Sequence, residues 1–215
     1  MKKTEKQNVT RVFNLVILDA SGSMFGIQAQ ALSNLNETIQ TVRNAAKEYD
    51  GEQEHTISLV TFNTSAVNHI YDNVPALEAE ELTMANYQPN GGTPLYDAMG
   101  QAMTMLEMKM KDGDRALVTI ITDGYENASR EYSQMEIRHM TERLRKKGWV
   151  IAYIGANQDV ETVSRDLGIK HSMSFQASPA GTMVMAKRST NAMKCIYKKL
   201  SECVTEEELD EDYFG

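Results

Sequence analysis

The chain holds little of what a sulfur-stapled or soft-metal protein needs. There are 2 cysteines in 215 residues, Cys195 and Cys203, close together near the end and outside any Cys-x-x-Cys pattern, and only 4 histidines. That composition argues against a disulfide framework and a structural zinc site, and the two thiols read as reduced and inert. Long apolar runs are missing as well. Val12-Phe13 and Leu15 to Leu18 lead straight into Asp19, far short of the roughly 20 apolar residues of a membrane span. Thr4 to Arg11, behind the Met1-Lys2-Lys3 start, is polar, so a secretory leader is not expected and the expectation is a cytoplasmic protein that engages no membrane. Nor is there an excess of positive charge: the formal charge is -8, which argues against a broad nucleic-acid footprint. The acid is unevenly placed. Residues 201–215 carry Glu202, Glu206, Glu207, Glu208, Asp210, Glu211 and Asp212 and no Lys or Arg, so the body before them is nearly neutral.

What is present is a 41% apolar chain, enough for a sizeable core, in which short apolar runs alternate with amphipathic helices. Strands are expected at Val12 to Leu18, Thr56 to Phe62, Ala116 to Thr122, Trp149 to Ile154 and Ser172 to Phe175. A more polar strand, Val67 to Val74, follows Thr56 to Phe62 closely enough to be its hairpin partner at the sheet edge. Helices are expected at Ile27 to Tyr49, Pro94 to Met110, Ser133 to Lys147, Val160 to Leu167 and Gly181 to Leu200. Thr93 reads as N-cap of the second of these, with Pro94 at its first position. Met99, Met103, Leu106 and Met110 form a stripe at helical spacing and read as core filler. Alternation of strand and helix implies a three-layer α/β/α, Rossmann-like fold, mostly parallel with one antiparallel edge strand. The chain divides into an N-terminal extension (1–9), one domain (10–200) and the acidic tail (201–215).

In such a sheet, ligands bind beyond the carboxyl ends of the strands. Three segments with chemistry fall there: Asp19-Ala20-Ser21-Gly22-Ser23 after the first strand, Asn90-Gly91-Gly92-Thr93-Pro94 entering a helix, and Thr122-Asp123-Gly124 after the Ala116 to Thr122 strand. They supply two carboxylates and three hydroxyls, all hard oxygen donors, with no His or Cys. That set suits Mg²⁺, Mn²⁺ or Ca²⁺, with Mg²⁺ the first expectation. Alternation at 19, 21 and 23 turns three side chains to one point, and Gly22 is expected to let the turn approach closely. Taken singly, each of these residues reads equally well as turn or cap chemistry; their convergence on one sheet edge is the signal.

The same residues resemble the metal-ion-dependent adhesion site (MIDAS) of von Willebrand factor type A (VWA) domains. Asp19-Ala20-Ser21-Gly22-Ser23, Thr93 within Gly-Gly-Thr-Pro-Leu and Asp123 within Thr-Asp-Gly match it position by position. The resemblance implies that Ser21, Ser23 and Thr93 meet the metal directly or through water, and that Asp19 and Asp123 do so mainly through water. It further implies a protein-binding module, in a multi-protein assembly or stress-response system, whose cation takes an Asp or Glu of a partner. Phe25 and Tyr125, each just past a metal-loop motif, and Tyr96 at the helix start are candidates for an apolar partner-binding rim. The alternative is a metal-dependent hydrolase, phosphatase-like. It would need a nucleophile or a general acid/base near the metal. His55 and His171, at strand beginnings, are expected about a strand length from the site, and Glu126 and Asp159 remain as candidates. The tail reads either as a solvated, mobile end or as a tethered source of carboxylates for the metal of this chain or a second copy, with Tyr213 and Phe214 settling near Phe25 or Tyr125.

Overall fold

β1 (Thr10–Asp19) shows why the inner strands are so apolar. Val12, Val16 and Leu18 enter one buried cluster, while Phe13, Leu15 and Ile17 enter another on the opposite face. A strand covered on both sides has no solvent face to mark with polar residues. The computed structural model describes residues 9–156, 158–176, 178–202, 205–209 and 213. Its sheet has six strands in the order β3-β2-β1-β4-β5-β6, with β2 (Gln53–Asn63), β3 (Ala66–Pro75), β4 (Arg115–Thr122), β5 (Trp149–Ala156) and β6 (His171–Phe175). β2 and β3 pair antiparallel at one edge, and the other four pairings are parallel. The expected architecture is therefore the observed one.

α1 (Gln28–Glu48) and α5 (Pro179–Ser201) bury the first cluster; α2 (Leu95–Glu107), α3 (Gln134–Arg145) and α4 (Val160–Asp166) bury the second. The methionine stripe is core: Met99 and Met103 are fully buried and Leu106 nearly so. α3 starts with a capping box, Ser133 and Glu136 each satisfying the other's backbone N–H. α1 starts one residue after the expected Ile27 and is preceded by a 3-10 helix, Gly22–Ile27, that the sequence reading did not place. α2 departs from expectation at its start: it begins at Leu95 without a side-chain cap, so the Thr93 hydroxyl caps nothing. It has another use, described below.

Asn14 interrupts the apolar face of β1 and is closed over by the far end of α5. The Tyr197 hydroxyl donates to Asn14 Oδ1 (2.6 Å), and Gln53 Nε2 donates to the Tyr197 carbonyl and to Ser201 Oγ (2.7 Å each). His55 Nε2 lies 2.8 Å from Gln53 Oε1, and its ring meets that of Tyr197 edge to face. Burial pulls the His55 pKa down to about 4, so this imidazole is neutral.

Part of the acidic tail is docked rather than solvated. α6 (Glu206–Leu209) buries Leu209 in the cluster under α1 and α5. The Tyr213 ring packs on His171, with Lys199 Nζ 4.9 Å from its centroid. Tyr213 therefore sits on edge strand β6 and not on Phe25 or Tyr125. Cys203, Phe214, Asp210 to Asp212 and residues 1–8 of the N-terminal extension lie outside the described residues. Cys195 is exposed and not in a disulfide. Among the described residues no helix is long and apolar enough to cross a membrane.

Candidate metal centre

The register sets Asp19 beside Phe62, Leu18 beside Ile121 and Thr122 beside Gly155, so β1, β2, β4 and β5 finish at one edge. Three loops meet there, and backbone bonds hold them together. Gly22 N–H donates to Gly91 O (2.9 Å), Asn90 N–H to Ala20 O (2.8 Å) and Asn127 N–H to Thr93 O (3.1 Å). The close approach falls on Gly91 rather than Gly22. A Cβ on Gly22 would meet the Gly91 carbonyl at an ordinary 3.4 Å, whereas one on Gly91 would lie 2.2 Å from Thr64 Oγ1, and Gly91 has φ +70°.

Within this frame Asp19 is wholly buried. Its Oδ1 accepts the Ser21 N–H at 2.7 Å and its Oδ2 accepts the Thr122 hydroxyl at 2.6 Å. Ser21 Oγ and Ser23 Oγ are 3.1 Å apart, and Ser23 Oγ donates to Asp123 Oδ1 at 2.5 Å. Thr93 closes the group. A Cβ on Gly124 would lie 3.5 Å from both Ser23 Oγ and Thr93 Oγ1, so the two hydroxyls flank one space beside Asp123. All five expected donors are thus brought together, and the hydroxyl that does not cap α2 faces this group.

Burial pushes the Asp19 carboxyl above the usual carboxylate range, against the pull of hydrogen bonds from Thr122 and Ser21, and the nearby charge of Asp123 adds to the rise. Burial likewise raises Asp123. Among the described residues no lysine or arginine pairs with either carboxylate. Two desolvated acids with only hydroxyl and amide donors leave negative charge under-compensated, and a divalent cation fits that deficit. The donors are all hard oxygens, and among the described residues no cluster of three or more His, Cys, Asp or Glu competes as a metal site.

Sequence reasoning missed Tyr87, Asn127 and Asp97, which help hold this arrangement, and gave Glu126 a different role. Tyr87, almost fully buried in the irregular segment before α2, donates its hydroxyl to the Asp19 carbonyl at 2.6 Å. Asn127 Oδ1 accepts the Thr93 N–H (2.9 Å). Glu126 accepts the N–H groups of Tyr96, Ala128 and Ser129 and the Ser129 hydroxyl. Asp97 accepts the N–H groups of Arg130, Glu131 and Tyr132. These two carboxylates bind the loop after Asp123 to the start of α2, next to Thr93. The only available signal was an Asp and a Glu in segments flanking helix starts, where such acids often serve as backbone acceptors.

Of the rim candidates, Phe25 is 71% exposed and Tyr125 is 53% exposed, with the Tyr125 hydroxyl accepting the Asp159 N–H. Tyr96 differs: it is half-buried and packs against the cluster under α2 and α3. His55 starts seven residues before Phe62 on β2, about 23 Å from the site at strand rise. His171 lies on β6 level with Ala152, three residues along the strand from Gly155 and two strands out from β4.

No protein-family model matches the chain, and no curated protein does. Solved structures do. A von Willebrand factor type A protein from Catenulispora acidiphila superposes with a TM-score of 0.60 at 14% identity, covering 84% of this chain and 42% of that one. Proximal thread matrix protein 1 from the mussel byssus, with a zinc-occupied MIDAS motif, gives 0.57 at 15% identity, covering 85% and 45%. The SpRpn10 VWA domain gives 0.57 at 13% identity, covering 82% and 94%. The chain thus spans less than two thirds of the first two and nearly all of the third. With sheet order, antiparallel edge and loop placement already established, these likenesses show that the chain has the von Willebrand factor type A fold.

Proposed function

We propose that this protein is a metal-dependent protein-binding module, in which Asp19, Ser21, Ser23, Thr93 and Asp123 hold a divalent cation, Mg²⁺ first, and a partner contributes an Asp or Glu. The observation that carries this reading is the continuous donor chain from Asp19 through Ser21 and Ser23 to Asp123, with the Thr93 hydroxyl facing it. When bound, the cation would supply a Lewis-acidic position for one more anionic oxygen. The two carboxylates balance its charge and the three hydroxyls add none, so the residues of this chain leave it able to accept another carboxylate. Exposed Phe25 and Tyr125 offer apolar area to the same partner.

A hydrolytic reading has less support. Glu126 is occupied by four hydrogen bonds and Asp159 by the cap of α4, where it accepts the Thr162 N–H. Neither carboxylate is held ready to move a proton at the metal loops.

Titration with Mg²⁺ in a thermal-unfolding assay tests the proposal. Cation at a hundred times its dissociation constant stabilises the native state by about 2.7 kcal/mol, a rise of several degrees in a domain of this size. Asp123→Ala is expected to fold and to show no such rise, and EDTA is expected to release any captured partner from the wild type. A wild-type midpoint indifferent to Mg²⁺, Mn²⁺ and Ca²⁺ would overturn the reading.

A further inference from the structure

α1 is bordered on its two sides by stretches of opposite charge. Asn34 Nδ2 donates to the Thr182 carbonyl (3.2 Å) and Thr41 Oγ1 lies 3.4 Å from Thr190 Oγ1, so this side of α1 meets α5. Asn36 Nδ2 donates to the Leu82 carbonyl and Asn36 Oδ1 accepts the Leu82 N–H (2.9 Å each), while Gln40 donates to Glu81. At about 100° per residue, Asn36 and Gln40 sit roughly 200° round the helix from Asn34 and Thr41. Residues 76–82 and α5 therefore flank α1 on opposite sides.

The first flank is acidic. Ala76, Ala79 and Leu82, every third residue, are buried and pin the segment, which turns the residues between them outward. Leu77 and Met84 are exposed there with Glu78, Glu80 and Glu81, and residues 76–86 hold no Lys or Arg. The second flank is basic. α5 carries Lys187, Arg188, Lys194, Lys198 and Lys199 and no Asp or Glu. Met183, Val184, Lys187 and Lys194 form a stripe at helical spacing along it, and all four are exposed. Among the described residues, Glu78, Glu80, Glu81, Lys187 and Lys194 form no ion pair. Each flank thus combines exposed apolar side chains with unpaired charge of one sign.

We propose that the two flanks bind each other between copies of this chain, the α5 stripe of one copy seating on residues 77–84 of the next. Charge selects this pairing. Two α5 stripes face to face would set cation against cation, and two acidic flanks would set acid against acid. The contact is therefore heterologous. Because the flanks lie on opposite sides of α1, each added copy leaves one flank of each kind open, and association continues head to tail. Leu77, Met84, Met183 and Val184 supply the apolar area, and the exposed charges set partner and orientation. The contact uses no metal donor and does not rest on the metal-dependent reading.

Sedimentation equilibrium of the full chain in EDTA, at about 0.2 mM protein, tests this in about 50 mM and about 500 mM NaCl. The expected result is an average mass above the monomer's at low salt, rising with protein concentration and falling towards the monomer's at high salt. Glu78→Lys/Glu80→Lys and Lys187→Glu/Lys194→Glu alter only exposed side chains, so both are expected to keep the wild-type urea midpoint. Each alone should associate at least about tenfold more weakly than the wild type. Mixed in equal amounts they should associate again, since one carries two basic flanks and the other two acidic ones. Val184→Ser, which leaves every charge in place, should also weaken the wild-type association. A wild type that is monomeric at both salt concentrations overturns the proposal. So do charge-reversed variants that associate as the wild type does, or a mixture of them that stays monomeric. Association that appears only with Mg²⁺ assigns the contact to the metal centre and overturns it as well.

Discussion

At the start of β1 and β2, Asn14, Gln53, His55 and Tyr197 close on one another without charge; at the end of β1 and β4, Asp19, Ser21, Ser23 and Asp123 link up around two carboxylates. Both groups are hydrogen-bonded, and every residue named but the exposed Ser23 is buried. The first is neutral, and it joins α5 to the sheet. The second concentrates two carboxylates whose protons burial makes harder to lose. A neutral network complete within the chain fixes structure; an anionic one short of a counter-charge stores affinity for something outside it.

That difference can be broken by mutation. Removing Asn14 should have the largest effect: Asn14→Ala strands the Tyr197 hydroxyl and leaves a cavity on β1, costing about 3 kcal/mol in urea unfolding. The Mg²⁺-induced gain should stay the same in this variant; a parallel loss of metal response would mean the two ends of the sheet are coupled. Acid comes next. His55 has its folded pKa near 4 and an unfolded one near 6.5, so the unfolded chain binds more protons between these values. Stability is fully present above about pH 6.5 and declines as pH falls to 4, by on the order of 3 kcal/mol. His55→Gln should flatten that limb, as read by urea midpoints across the range. The smallest effect, and of opposite sign, belongs to the metal carboxylates. Their folded pKa values lie above the unfolded ones, so without metal their contribution falls as pH rises past the usual carboxylate range. In EDTA at neutral pH, Asp123→Asn should therefore raise the midpoint slightly, and Mg²⁺ should reverse the ranking of the two proteins.

Much of this was legible in the residues. Buried parallel strands announce themselves as apolar runs, α1 and α2 by their spacing, and the candidate metal donors by hard-oxygen side chains just beyond β1 and β4 and before α2. Thr93 shows how one residue type supports two readings: a Thr-Pro pair before a helix signals a cap, yet tertiary contacts from Asn127 and Gly124 turn the hydroxyl to the metal loops. Tyr87 was illegible for a different reason. It sits in a segment with no hydrophobic period, and its burial depends on the distant Asp19 carbonyl. Leu209 was hidden among acids: a charge run suggests solvation, but Leu209 and Tyr213 both pack against the domain.

The clasp between Ser23 and Asp123 has a consequence for how the molecule comes into being. These residues are 100 positions apart, and the pairing of β1 with β4 must precede their contact. A nascent chain that has emerged only through β3 owns Asp19, Ser21 and Ser23 but lacks Thr93 and Asp123, so it offers a cation one carboxylate and two hydroxyls in open water. Loop-closure entropy delays such distant contacts until the sheet is nearly complete. On the proposed metal reading, ion affinity would be acquired only once β4 has joined β1, and a bound ion would act as a brake on unfolding rather than as a guide to folding.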